Sequence, residues 1–239
     1  MKNFLRRIVF PWFAILTGVI GLALQSWLLS SVGDRGLLPS PHIATSVCLL
    51  LLAATLEVCL LAVLKFPPTG DYAELFPRSP IAAAGTAIAA IGMLISAFSM
   101  PATGILKLLT PITGILAGIA LLVTAYYRFK GLQPNCLFHS AVAVFFIIRT
   151  MACCQSWGSE PQLQTYLFPL LAALLLLIAS YYRAELDVMS KSTRWYIFFS
   201  QGALMCCLSS GAHSQGLFYL SAALWLASDY FVLIPARQE

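Results

Sequence analysis

The chain is expected to fold as an all-α, polytopic integral membrane bundle of about eight transmembrane helices, and three observations predict this. The first is composition: 60% of the 239 residues are hydrophobic and 10% are charged, with a mean hydropathy of +0.86. Water-soluble domains carry about 25% charged residues. The second is the apolar runs, which fall between charges and turn residues at about 8–31, 43–64, 81–100, 105–127, 136–154, 166–182, 195–210 and 217–234. At about 20 residues per span, eight spans leave only about nine residues for each connecting or terminal segment. The whole chain, 1–239, then reads as a single transmembrane domain with no soluble domain. That arithmetic excludes a nucleotide-binding cassette, a kinase, a Rossmann unit or a DNA-binding module.

The third observation is where the basic residues fall. With eight spans and a cytoplasmic N-terminus, Lys2, Arg6, Arg7, Lys65, Arg78, Arg128, Lys130, Arg183, Lys191, Arg194 and Arg237 lie inside. Arg35, Lys107 and Arg149 lie outside or in the outer half. Cationic loops stay on the cytoplasmic side, so both termini are expected there, in the cell membrane. The formal net charge of +5 then serves orientation and contact with anionic lipid, and no nucleic-acid partner is implied. Span 1 is longer than the ~7–15 apolar residues of a signal peptide and is expected to remain as the first helix.

Span by span, the punctuation is consistent. Lys65 and Pro67-Pro68-Thr69-Gly70 stop span 2. Pro101-Ala102-Thr103-Gly104 returns span 3 tightly into span 4, and a polar loop beginning at Gln155 separates span 5 from span 6. Span 3 is rich in small residues (Ala82, Ala83, Ala84, Gly85, Ala87, Ala89, Ala90, Gly92, Ser96), span 4 has Gly114 and Gly118, and span 1 has Gly18 and Gly21. Small residues let helices approach closely in lipid, which predicts a tight bundle around spans 1, 3 and 4, although a homo-oligomer face uses the same chemistry. Pro111 and Pro169 permit kinks in spans 4 and 6.

Residues 116–128 and 171–183 match at seven of thirteen positions and both close on Tyr-Tyr-Arg; span 8 echoes this in Ala227-Ser228-Asp229-Tyr230. Two explanations stand side by side. One is an interfacial aromatic belt with a snorkelling arginine at each helix end; the other is a fold built from repeated parallel hairpins.

Ionisable groups inside a bilayer cost about 2.5–3.5 kcal/mol each and mark candidate sites. Glu57 in span 2 lies about 12 Å from the inner end and Asp229 in span 8 about 9 Å, by a rise of 1.5 Å per residue. His139 sits near the inner end of span 5, and Arg149 about 10 Å farther out. The levels allow Glu57, Asp229 and His139 to line one inward cavity, with Arg149 reaching Glu57 only if both bend to the midplane. Acids facing such a cavity would take a cation, a proton or an amine; an Arg149–acid pair would be a pin or a gate. Gln25 and Gln201 read as polar glue between helices.

No His-Glu-x-x-His, Gly-x-Ser-x-Gly or phosphate-binding loop is present, so no enzyme, catalytic residue, metal site or cofactor is expected. The seven cysteines read as packing residues, with a disulfide between Cys153-Cys154 and Cys206-Cys207 as the alternative. The sequence therefore points to a small solute or ion transporter, or the membrane subunit of one, with a polar site between spans 2, 5 and 8. On that expectation Glu57→Gln and Asp229→Asn abolish uptake in a folded protein. The alternative is a membrane scaffold or sensor acting through short cytoplasmic loops, with 65–80 as the docking segment for a partner protein.

Overall fold

The computed structural model describes residues 10–32, 43–64, 72–100, 102–158, 166–189 and 193–233. Among these, every regular element is helical: α1 (Phe10–Ser30), α2 (Ile43–Val63), a single turn α3 (Tyr72–Leu75), α4 (Pro80–Phe98), α5 (Leu106–Lys130), α6 (Cys136–Trp157), α7 (Leu167–Met189), α8 (Thr193–Ser209) and α9 (Gly216–Leu233). Helices satisfy every backbone N–H and C=O within one segment, which is the requirement in hydrocarbon. Seven of the eight long helices are long and apolar enough to cross a membrane. The eighth, α8, has 17 residues and runs on through a 3-10 turn, Ser210–Ala212. Twelve of its residues are buried against neighbours, so α8 carries polar side chains without showing them to lipid.

Local sequence fixes several ends. Ser79 caps α4, its Oγ accepting from the Ala82 N–H at 3.3 Å, with Pro80 at the first helical position. Asn135 does the same for α6 through Leu137 N–H at 3.1 Å. Gly131 closes α5 at φ +72°, a left-handed position that lets Leu132 N–H reach Tyr127 C=O at 2.9 Å. Helices α5, α6 and α7 extend past the expected span ends at 127, 154 and 182. For α5 and α7 this is because the charges that seemed to stop them are neutralised inside the bundle.

Helices α4 to α8 follow one another in an arc, each packed on the next, and α9 returns through the middle against both α4 and α8. Phe145, Phe146, Phe218 and Trp225 fill the space between α6 and α9 in tilted and edge-to-face contacts, with ring centroids 5.8–6.1 Å apart. The α1–α2 pair docks on the outside of α8. Accordingly 72% of the apolar window of α9 is buried, against 28% for α2. Trp12 in the first turn of α1 packs on Phe231 in the last turns of α9 at 5.6 Å, so the first helix begins and the last one finishes at the same end of the bundle.

The glycines work in pairs of helices, and α8 and α9 join the tight contacts expected for spans 1, 3 and 4. Gly85 and Gly92 of α4 face Ser228 and Ser221 of α9, Gly114 of α5 faces Ala97 of α4, and Gly18 and Gly21 of α1 face Leu208 and Ser209. Gln25 and Gln201 are buried between helices, and all seven cysteines are free. Of the residues used to orient the chain, Lys2, Arg6, Arg7, Arg35, Lys65, Lys191 and Arg237 lie outside the described residues.

Candidate functional site

At the end where α5, α7 and α9 finish, ionisable side chains from five helices converge. Asp229 is the hub. Its Oδ1 accepts from Arg128 Nη1 at 2.5 Å, and its Oδ2 accepts from Arg183 Nε at 2.9 Å and Tyr196 Oη at 2.8 Å. Arg183 also donates through Nη1 to Asp187 Oδ1, one helical turn on, at 2.5 Å. The other oxygen of Asp187 meets His139 Nδ1 at 2.5 Å. An ionised carboxylate only accepts, so Nδ1 carries the proton of that contact. Arg128 Nη1 further donates to Thr86 Oγ1 at 3.2 Å. Two arginines and two aspartates cancel, leaving a network that is neutral when His139 is neutral.

Burial is near complete: Arg183 and His139 are 0% exposed, Asp229 1% and Arg128 4%. The segment ahead of α4 seals the network. Arg183 lies 4.0 Å over the Phe76 ring and donates to Tyr72 Oη at 3.4 Å, while Arg128 stands 5.5 Å over Phe76. Burial pushes the Tyr72 phenol above its ordinary pKa, with the Arg183 guanidinium opposing the shift, so it stays a protonated acceptor. This overturns the docking expectation for 65–80 at its core: Tyr72, Leu75 and Phe76 are buried in the chain's own bundle. Residues 65–71 lie outside the described residues.

Two features of this site stay open. His139 Nε2 is buried without an acceptor or donor among the described residues, its ring stacked on Trp225 at 6.2 Å. Beside it, an open cleft of about 510 Å³ lined by Tyr127, Gln133, Pro134, Asn135, Cys136, Asp187 and Val188 reaches the backbone of Asp187. Gln133 Nε2 donates to the Asp187 carbonyl along its wall. The Asp187 carboxylate itself is sealed.

Of the four residues expected to form a site, the structure joins two, His139 and Asp229, through Asp187 and Arg183. The other two stand apart, which corrects the placement between spans 2, 5 and 8. Glu57 is exposed on α2, which among the described residues packs mainly along α1 and α8; equal depth did not decide which way its helix faced. Arg149 lies toward the opposite end, its guanidinium 3.5 Å over Phe218, with Nη2 donating to Gln215 Oε1 at 2.7 Å.

Sequence reasoning missed Arg128, Arg183, Asp187 and Tyr196. The two arginines end the Tyr-Tyr-Arg repeats, and neither snorkels: both turn inward and grip the two oxygens of one carboxylate. The first tyrosine of each repeat, Tyr126 or Tyr181, is exposed. The second packs on a neighbouring helix, Tyr127 at a tilt on Phe138 at 6.1 Å and Tyr182 stacked on Phe199 at 5.4 Å. The matched endings thus have matched surroundings, and they were the signal that could have found the site. Asp187 escaped because span 6 was ended at Tyr182; the i,i+4 spacing Arg183–Asp187 argued for one more turn.

These features define a polytopic helical membrane protein with a charge-balanced network buried at one end. No family model, curated protein or solved structure matches the chain.

Proposed function

We propose that the chain is a transporter of a small solute or ion, closed at its network end in this structure, with Arg128, His139, Arg183, Asp187 and Asp229 as the gate. The observation that carries this reading is the convergence of α5, α6, α7 and α9 on a neutral, buried ion network one of whose residues, Asp187, borders an open cleft. A single hydrogen bond would hold two helices together at far lower desolvation cost. A network of mutually cancelling charges has the property a gate needs: a proton or charged group arriving from the cleft upsets the balance and frees α6 and α7 from α5 and α9. His139 Nε2 is the open position for such a proton.

The test uses the full chain in proteoliposomes, with proton flux driven by a potassium–valinomycin potential, and thermal unfolding against amines, carboxylates, amino acids and alkali cations. We expect flux or a saturable rise in Tm for the wild type. His139→Gln keeps the charge count and is expected to stay folded while losing that response. Absence of both responses in folded wild-type protein would overturn the reading.

One observation favours the alternative of a membrane subunit that acts through a partner. Glu57 points away from the bundle on a helix whose exposed side chains are otherwise apolar except for Ser46, and a carboxylate there is met most cheaply by a polar group on another chain. Because Glu57 takes no part in the core, Glu57→Gln is expected to leave stability within about 0.5 kcal/mol of wild type, read by thermal unfolding, while weakening any partner complex isolated from membranes.

A further inference from the structure

Arg149 is the counterpart of the buried arginines of the gate, with one difference: among the described residues it has no carboxylate. Its side chain is 2% exposed, yet Nε and Nη1 meet no acceptor among the described residues. The one polar group it holds is neutral, Gln215 Oε1, which also lies 3.8 Å from Cys153 Sγ. The Phe218 face beneath the guanidinium offsets part of its charge and supplies no acceptor for the open N–H groups. Gln215 immediately precedes α9, so the positive end of that 18-residue helix lies at the same place. Cys153 and Trp157 follow one and two turns on along the same buried face of α6. Trp157 packs at a tilt on Tyr166 at 5.1 Å, and Tyr166 on His213 at 4.8 Å, making an aromatic cover toward that end.

A desolvated cation with two open donors beside a helix N-terminus is half of a binding pair. We infer that Arg149 binds an oxyanion, a small carboxylate or a phosphate group, whose oxygens accept from Nε and Nη1 and whose charge completes the balance that the gate achieves internally. This names the class of solute for the transport reading and rests on that reading only for its role as cargo. The same chemistry is offered by a free anion or by the phosphate of a lipid headgroup.

The experiment is thermal unfolding of the full chain in neutral detergent, titrated with sodium acetate or sodium phosphate against sodium chloride at matched ionic strength. A parallel arm uses phosphatidylcholine nanodiscs with and without phosphatidylglycerol. The expected result is a saturable rise in Tm with an oxyanion over chloride, absent in Arg149→Met; a rise with phosphatidylglycerol alone identifies the headgroup as the source. Arg149→Met is itself expected to melt at or above wild type in chloride, because it removes an uncompensated buried charge. No response in any arm, an equal response in Arg149→Met, or a collapse of Arg149→Met in chloride would overturn the inference. So would a response that emerges only in Asp34→Asn or Glu160→Gln, two acids outside the described residues, because it would assign the counter-charge to the chain itself. Oxyanion binding without flux keeps the site and removes the transport reading; flux without oxyanion binding does the reverse.

Discussion

Asp229→Leu is expected to be the most damaging single change in the protein. It leaves Arg128 and Arg183 buried at one level with only Asp187 between them and His139, and it strips the acceptor from Tyr196 as well. Removing one partner from a buried pair costs about 3–5 kcal/mol because a charge is stranded out of water. Here one deletion unbalances two arginines, so the loss falls at or above the upper end of that range. That is a large share of a stability of about 5–15 kcal/mol. The measurement is the melting temperature and monodispersity of the purified chain. The diagnostic is rescue: Asp229→Leu with Arg128→Leu restores neutrality around Arg183–Asp187 and is expected to recover most of the loss, since apolar replacement of buried ion pairs is often neutral. A single mutant that melts with the wild type would show that these charges are not coupled. The same geometry changes what Asp229→Asn can report. That substitution weakens the fold as well as any gate, which is why His139→Gln is the cleaner probe of function.

Gly114→Ala is expected to carry the next largest loss, in the opposite direction to its helix propensity. In an isolated helix the change favours folding by about 1 kcal/mol. In this bundle the new Cβ would stand 2.3 Å from the Ala97 Cβ, with the Phe145 ring at 3.2 Å on another side. A methyl fixed to the backbone cannot rotate away, so α4 and α5 must separate. Overpacking of this kind costs about 1–3 kcal/mol, and α4 is also the helix that α9 packs on. Thermal unfolding is expected to show a clear loss for Gly114→Ala and recovery in Gly114→Ala/Ala97→Gly, where the same two methyl positions are exchanged. Stabilisation of the single mutant would mean that the helices do not approach this closely.

The helical membrane class was legible because it is a property of composition and spacing. Hydrocarbon admits few charges and forces the backbone into helices, and both constraints act residue by residue along the chain. The small-residue faces of α1, α4 and α5 were legible for a related reason, since a missing side chain is visible in sequence whatever it packs against. The relative position of charges along their helices was legible too: His139 and Asp229, placed at neighbouring levels by counting residues, join one network through Asp187 and Arg183. The direction a charge faces was not. Arg128 and Arg183 looked like interfacial residues because they follow aromatic pairs at the ends of apolar runs, and only the neighbouring helices turn them inward. Glu57 looked like a companion of Asp229 and His139 by depth, yet it is exposed on the outer face of a peripheral helix.

Sequence alone determined that the chain crosses a bilayer as apolar helices and at what heights its charges ride, because height follows from rise per residue along a single helix. Tertiary structure alone decided which charges share a site, because that depends on the rotation of each helix about its axis, and in a helix apolar on all sides nothing in the sequence sets that angle until another helix packs against it.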